Sequence, residues 1–174
     1  LERGARIITV GLGGSGTIDG GKGLLEALGV RFLDANGAVL STIPHRVEEV
    51  ASIDWSGLHP RAREVVWRMS SDVQNPLIGE SGAAYVFGPQ KGLAADVVKR
   101  YDRVMDPYAN CFEVDRRALP GAGAAGGIGV ALLQLGANYV GGIEEVISWS
   151  KRGEQLEQAD VLMTGEGTFD AQRF

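Results

Sequence analysis

Residues 10–23, VGLGGSGTIDGGKG, follow directly on the apolar run Ile7-Ile8-Thr9-Val10, and this junction constrains the fold more than any other part of the chain. A short run of β-branched residues that stops at glycines reads as a buried strand entering a loop. Glycines in such a loop imply backbone that turns tightly or approaches something closely. Two phosphate-binding patterns can be laid on it. Gly11-Leu12-Gly13-Gly14-Ser15-Gly16 spells G-x-G-x-x-G, with Asp34 near the place of a dinucleotide-binding acid. Residues 16–22 spell G-x-x-x-x-G-K, although Gly23 stands where a P-loop carries Ser or Thr for magnesium. A third reading makes Asp19 the functional group.

The segment after the loop weighs against the dinucleotide pattern. Residues 21–28 predict a short helix with Leu24, Leu25 and Leu28 on its apolar face and Gly29 as its stop. Residues 30–34 and 38–40 then read as two strands around an Asn36-Gly37 hairpin turn. A dinucleotide fold needs a crossover helix at that point, whereas Asn-Gly favours an immediate antiparallel return.

Further along, residues 64–69 and 84–87 predict strands. Residues 94–112 predict the clearest helix, because Val97, Val98, Tyr101, Val104, Met105 and Tyr108 recur at helical spacing. A glycine-rich entry at residues 120–127 leads into an apolar helix from about Ile128. Residues 143–159 predict a second amphipathic helix, and residues 160–164 a final buried strand. Strands alternating with helices, plus one hairpin, predict a single α/β domain over residues 1–174, a layered fold with a mixed, mainly parallel sheet flanked by helices.

Bulk properties narrow the partners. A formal net charge of −5 without a Lys/Arg-rich run lacks the footprint of nucleic-acid binding, so small molecules are the expected ligands. One cysteine among 174 residues gives no disulfide framework, and no apolar run has the length of a membrane span, which together predict a cytoplasmic protein. The chain begins at Leu1 and ends soon after TGEGTFDAQ, and both ends read as cuts in a longer protein.

Three places repeat one design, an apolar strand ending in a polar loop with a carboxylate: Asp19 in the first loop, Asp72 after residues 64–69, and Glu166 with Asp170 near the end. The carboxyl ends of strands line the ligand crevice of an open α/β sheet, so Asp19, Asp72 and Glu166 are expected to face one crevice. Residues 120–127 add backbone N–H groups that suit an anion, or else serve tight helix packing. Carboxylates beside anion-binding glycines make sense with a metal between them, the combination found in phosphoryl transfer. Simpler readings stand beside these. Asp72 could only cap the turn at Asn75-Pro76, Lys91 could be a surface lysine, and His45, His59, Cys111 and the three tryptophans are expected to be structural.

Taken in order, GLGGSGTIDGGKGLLEALGVRFLDANG, SSDVQNPLIGESGAAYVFGPQKG, PGAGAAGGIGVALL and ADVLMTGEGTFDAQ resemble the type I glycerate kinases, nearly end to end. The resemblance implies transfer of the γ-phosphoryl group of ATP, with Mg2+, to a hydroxyl of D-glycerate. It also implies that this chain is the middle part of a two-domain enzyme and does not turn over alone. Homo-oligomer formation is left open. Carried over by position, the resemblance makes Asp19 and Asp72 the catalytic acids. Gly13, Gly14, Ser15, Thr17, Asn75, Lys91, Gly121, Gly123, Gly165 and Glu166 become substrate or phosphate contacts, and Asp19, Asp72, Glu166 and Asp170 metal ligands. Two positions depart from the family pattern. Ile18 replaces an Asn, and Thr168 replaces an Arg that would contact an anion. Both departures favour the alternative, a non-catalytic domain kept for ligand binding or oligomerisation, while intact DVQNPL and FGPQKG favour the enzyme.

Overall fold

The computed structural model describes residues 1–40, 44–150, 153–161 and 163. Strand β1, Ile7–Gly11, forms where the β-branched run predicts it and lies parallel to the strand Val66–Ser70, in register from Ile7 opposite Val66 to Gly11 opposite Ser70. That second strand, β4, is central. Its other edge pairs in parallel with β5, Asn138–Val140, giving the order β1-β4-β5. The α/β class and the parallel sheet flanked by helices are as expected.

The hairpin does not join that sheet. Strand β2, Arg31–Leu33, pairs antiparallel with β3, Ser52–Asp54, as a separate ribbon. The Asn36-Gly37 turn returns the chain beside β2 as predicted, with Leu40 N–H donating to Phe32 O at 2.8 Å, but the return is a single bridge between Leu33 and Val39. Helix α1, Lys22–Ala27, stops at Gly29, whose φ is +96° and where a Cβ would lie 2.2 Å from the carbonyl oxygen of Gly57. The ribbon therefore docks backbone to backbone against the end of α1, with His59 N–H donating to Leu28 O. Only glycine allows that approach.

Residues 84–87 are not a strand. They belong to helix α2, Ala83–Phe87, in which Val86 N–H reaches Gly82 O and Gly88 N–H reaches Ala84 O. Five apolar residues between two glycines carry no readable period, and packing of Ala83 and Ala84 into the interior decides the outcome. Helix α3, Ala95–Asn110, matches its periodicity. In α4, Ala124–Gln134, the first turn is distorted, with positive φ at Ala125, Gly126 and Gly127, so the regular helix begins at Ile128 as expected. The predicted 143–159 helix comprises α5, Gly142–Ser150, and α6, Gly153–Glu157. Asp160, Val161 and Met163 lie in no strand, and the remainder of the expected 160–164 strand falls outside the described residues.

The core is built where α1, α3, α4 and the ribbon meet: Leu25, Phe32, Val47, Met105, Tyr108, Val130 and Leu132 are essentially inaccessible. Each such side chain contributes about 1.5–3 kcal/mol by burial. Tyr108 stacks on Phe32 at 6.1 Å and meets Phe112 edge-on at 5.2 Å. This places the tyrosine hydroxyl beneath the loop that carries Asp19.

Candidate active site

Parallel strands deliver their following loops to one edge of the sheet. Asp19 follows β1 and Asp72 follows its neighbour β4, and Leu12 N–H donating to Ser70 O at 2.9 Å keeps the two exits side by side. Glu166 and Asp170, with Gly165, lie outside the described residues, and of the expected crevice the structure gives that Asp19 and Asp72 follow adjacent parallel strands.

Asp19 is buried, with 6% of its surface exposed. One carboxylate oxygen accepts the Gly21 N–H and the other the Gly23 N–H, each at 3.0 Å, so the group closes the start of α1. Three remote segments fix its loop. Gly20 N–H donates to Gly126 O at 3.1 Å, and the Tyr108 hydroxyl donates to Gly20 O at 3.2 Å. Lys91, on the 3-10 turn Pro89–Lys91, donates from Nζ to Thr17 O at 2.6 Å and to Ser15 Oγ at 2.9 Å. Lys91 is thus a member of the loop's environment and not a free surface lysine. Partial desolvation pulls its pKa below the ordinary lysine value, and the charge of Asp19 opposes that shift. Desolvation, with a smaller contribution from the Asp19 charge, pushes the Tyr108 phenol well above 10 and keeps it a neutral donor.

The outer part of the loop is open. A Cβ placed on Gly13, Gly14 or Gly16 would meet nothing within 4 Å, and Gly14 sits at φ +62°. Gly13, Gly14 and Thr17 are exposed and Ser15 half-buried, and none of their backbone N–H groups donates to a described residue. Backbone donors left without a partner among the described residues suit an anion.

Asp72 is exposed, and its Oδ1 accepts the Gly142 N–H at the start of α5 at 3.0 Å. It does not cap the Asn75-Pro76 turn. Asn75 spends its amide on Ser81 O at 2.8 Å, holding the loop before α2. Gly121 and Gly123 are buried in close packing, where a Cβ would meet Met69 Cε at 2.9 Å and Pro76 O at 2.1 Å, and Gly123 N–H is spent on Asn75 O. These two glycines serve packing, one of the two readings their segment allowed. Among the described residues no group of three or more His, Cys, Asp or Glu side chains is placed to hold a metal.

The two rejected phosphate patterns are accounted for. Lys22 is fully buried, paired with Glu26 and 5.3 Å from the Phe32 ring centroid, so it is no P-loop lysine. Asp34 spends Oδ1 on Asn36 and Ala38 N–H groups within its own turn, so it is no ribose ligand.

A sequence model of the Glycerate kinase family matches residues 1–174. The chain belongs to the glycerate kinase family. It is 42% identical to glycerate 2-kinase of Escherichia coli K12, over 99% of this chain and 46% of that protein. It is 40% identical to glycerate kinase of Halalkalibacterium halodurans, over 99% of this chain and 47% of that one. Among solved structures, one from Salmonella typhimurium LT2 carrying the name glycerate kinase 2 superposes with a TM-score of 0.85 at 41% identity, covering 98% of this chain and 47% of its own. The chain spans just under half the length of these relatives.

Within this glycerate kinase family domain, sequence reasoning placed Tyr108 only on an apolar helix face and missed its hold on Gly20. It also missed Glu145 of α5, buried at 6% exposure, which accepts from Arg68 Nη1 at 3.1 Å and Thr9 Oγ1 at 3.3 Å. Thr9 and Arg68 are register partners on β1 and β4, so this carboxylate and Asp72 both fasten α5 to the acid-bearing edge. No local pattern reveals such pairings, which span 77 to 136 residues. His59 and Cys111 are structural as expected. His59 Nδ1 accepts the Arg61 N–H, and burial raises the Cys111 thiol pKa.

Proposed function

We propose that this domain supplies the acid-bearing half of a phosphoryl-transfer site that moves the γ-phosphoryl group of ATP, with Mg2+, to a hydroxyl of D-glycerate. The observation that carries the proposal is the convergence of Asp19, Lys91 and the open Gly13–Thr17 donors on one loop at the carboxyl edge of the sheet. The E. coli relative's name, glycerate 2-kinase, supports the 2-hydroxyl as acceptor.

The donor set fits the implied cofactors. Mg2+ is commonly held by one or two carboxylates, with phosphates and waters completing its octahedron, so a three-acid cage is not required. Asp72 is exposed and its Oδ2 has no partner among the described residues, which makes it the metal ligand of this pair. Glu166 and Asp170 join it by resemblance. The metal, when bound, neutralises phosphate charge beside the acids. The backbone N–H groups of Gly13, Gly14, Ser15 and Thr17 orient oxyanions, and Lys91, with two donors spent on the loop, keeps a third for the ligand. Asp19, held by two backbone N–H groups, retains lone pairs to receive the hydroxyl proton as that oxygen bonds to the γ-phosphorus and ADP departs.

The test is Asp19→Asn and Asp72→Asn in a polypeptide of full family length carrying this domain. Asp19→Asn is expected to lower kcat about a hundredfold to ten-thousandfold. Asp72→Asn is expected to raise the Mg2+ concentration needed for half-maximal rate. Near-normal turnover by Asp19→Asn would remove it from the mechanism. The second reading, a non-catalytic domain, is favoured by Ile18, whose side chain packs against the core where the family pattern has Asn. Absence of turnover in the unmutated full-length protein would select it.

A further inference from the structure

At the edge of the sheet opposite the acid loops lies a cleft of about 330 Å³. Arg63 lines it just before β4 begins, Gln134 and Leu135 line it just before β5 begins, and Trp55 and Leu58 close it from the ribbon side. The volume is in the range of small-molecule sites. Its chemistry is unlike the acid edge. Arg63 and Arg116 line the cleft with one carboxylate, Glu113, and neither arginine side chain has a hydrogen-bond or ion-pair partner among the described residues. The Nε of Arg116 is fully buried without an acceptor. A buried donor left unmade costs about 1–3 kcal/mol, and because this N–H is itself sealed from solvent, what the cleft offers an entering anion is the rest of the half-buried Arg116 guanidinium. The half-buried indole of Trp55, tilted at 49° to Phe112, adds a flat wall, and Gln134 is pinned in place by donating to Val114 O at 2.9 Å.

We infer that this cleft binds a small organic oxyanion with a flat, unsaturated body, its carboxylate or phosphate taken by Arg116 and Arg63 and its body laid on Trp55. Guanidinium groups match both oxyanions with a planar fork of donors and stack on planar groups, whereas an ammonium is a point charge with neither the fork nor the flat face. Because Arg63 leads into β4, which ends at Ser70 beside Asp72, occupancy bears on the strand that positions the acid edge. The inference does not rest on the proposed phosphoryl transfer.

The test is a titration of the 174-residue chain with phenyl phosphate, benzoate and inorganic phosphate, followed by the Arg116 Nε–H and Trp55 indole N–H resonances. Saturable shifts of both signals are expected, with Kd at about 1 mM or below for the better aryl probe. The stronger of phenyl phosphate and benzoate tells whether the natural oxyanion is a phosphate ester or a carboxylate. Arg116→Gln is expected to weaken either aryl probe about tenfold or more, since a charge-assisted hydrogen bond is lost. Arg63→Gln, at an exposed position, reads the same charge without disturbing the interior and is expected to weaken binding by a smaller factor. Trp55→Leu should weaken the aryl probes and leave inorganic phosphate unchanged. Shifts confined to the Gly13–Thr17 amides, no saturation by about 10 mM, or equal binding by wild type and Arg63→Gln would each overturn the inference.

Discussion

The Asp19 loop and the Asp34 turn share one local chemistry and have different fates. In each, an aspartate carboxylate accepts two backbone N–H groups within four residues, at 3.0 Å from Gly21 and Gly23 and at 2.8 and 2.9 Å from Asn36 and Ala38. In each, a glycine takes a left-handed φ, +65° at Gly20 and +80° at Gly37. The Asp34 turn holds itself together and points at solvent. The Asp19 loop is locked by Lys91, Tyr108 and Gly126, all more than 70 residues away along the chain. The proposed site rests on that difference, because fixed geometry is most of what phosphoryl transfer asks of a protein.

The largest expected difference between the two regions lies in their glycines. A Cβ on Gly126 would fall 1.9 Å from Thr17 O and 2.8 Å from Ile18 Cα, both backbone atoms, at φ +69°. A Cβ on Gly37 would meet nothing within 4 Å, at φ +80°. Gly126→Ala therefore combines overpacking with left-handed strain and should cost about 3 kcal/mol or more. Gly37→Ala carries the conformational strain alone, about 1 kcal/mol. Urea unfolding of the two variants checks this, and equal losses would mean that the loop yields around the new methyl and is not locked.

A smaller contrast separates the aspartates. By shape, Asp19→Asn is expected to leave folding intact. The structure corrects that expectation, because an amide offers one oxygen where two N–H groups require acceptors, and its NH2 then faces a donor. The loss should be about 1–2 kcal/mol of stability. Asp34→Asn meets no such mismatch, because both N–H groups donate to the single oxygen Oδ1, which an amide keeps, and it should cost less. The same denaturation measurement sharpens the kinetic test of Asp19, since it separates lost catalysis from lost folding.

The elements legible in the sequence were those whose signal is local. β1, α1, β4 and α3 announced themselves by β-branching or helical period, and the Asn36-Gly37 turn by its residue pair. β3 and β5 escaped notice because each is three residues long and exists only through its partner strand. α2 reads as a strand in the sequence because Ala-Ala-Tyr-Val-Phe shows no polar face to set a period. In the site, Asp19 and Asp72 were legible as acids at strand ends, and Lys91 through its place in FGPQKG. The hydroxyl of Tyr108 and the carboxylate of Glu145 were not, since a helix pattern reports which face is buried and says nothing of the atom that a polar tip will meet.

The smallest effect concerns acid. Hydrogen bonds from the backbone of Ala38, then of Asn36, hold the Asp34 carboxyl below its ordinary value of 3.8. A carboxylate depressed in the native state binds fewer protons there than in the unfolded chain, so stability rises with pH across the interval between the two values. The contribution is complete above the unfolded value of 3.8 and is lost as pH falls through the lower native value. Asp54 and Asp115 are depressed as well and titrate in the same region, so the quantity to measure is the Tm of wild type minus that of Asp34→Asn. That difference should be constant above about pH 5 and shrink as the pH is taken well below the unfolded carboxylate value. Because the depression at Asp34 comes from backbone N–H groups and no ion pair, the profile should survive about 0.5 M salt, which screens exposed charge pairs. A difference that stays flat across the whole acid range would show that the turn does not hold the carboxylate in solution, and the likeness between the two aspartate loops would then end at their sequences.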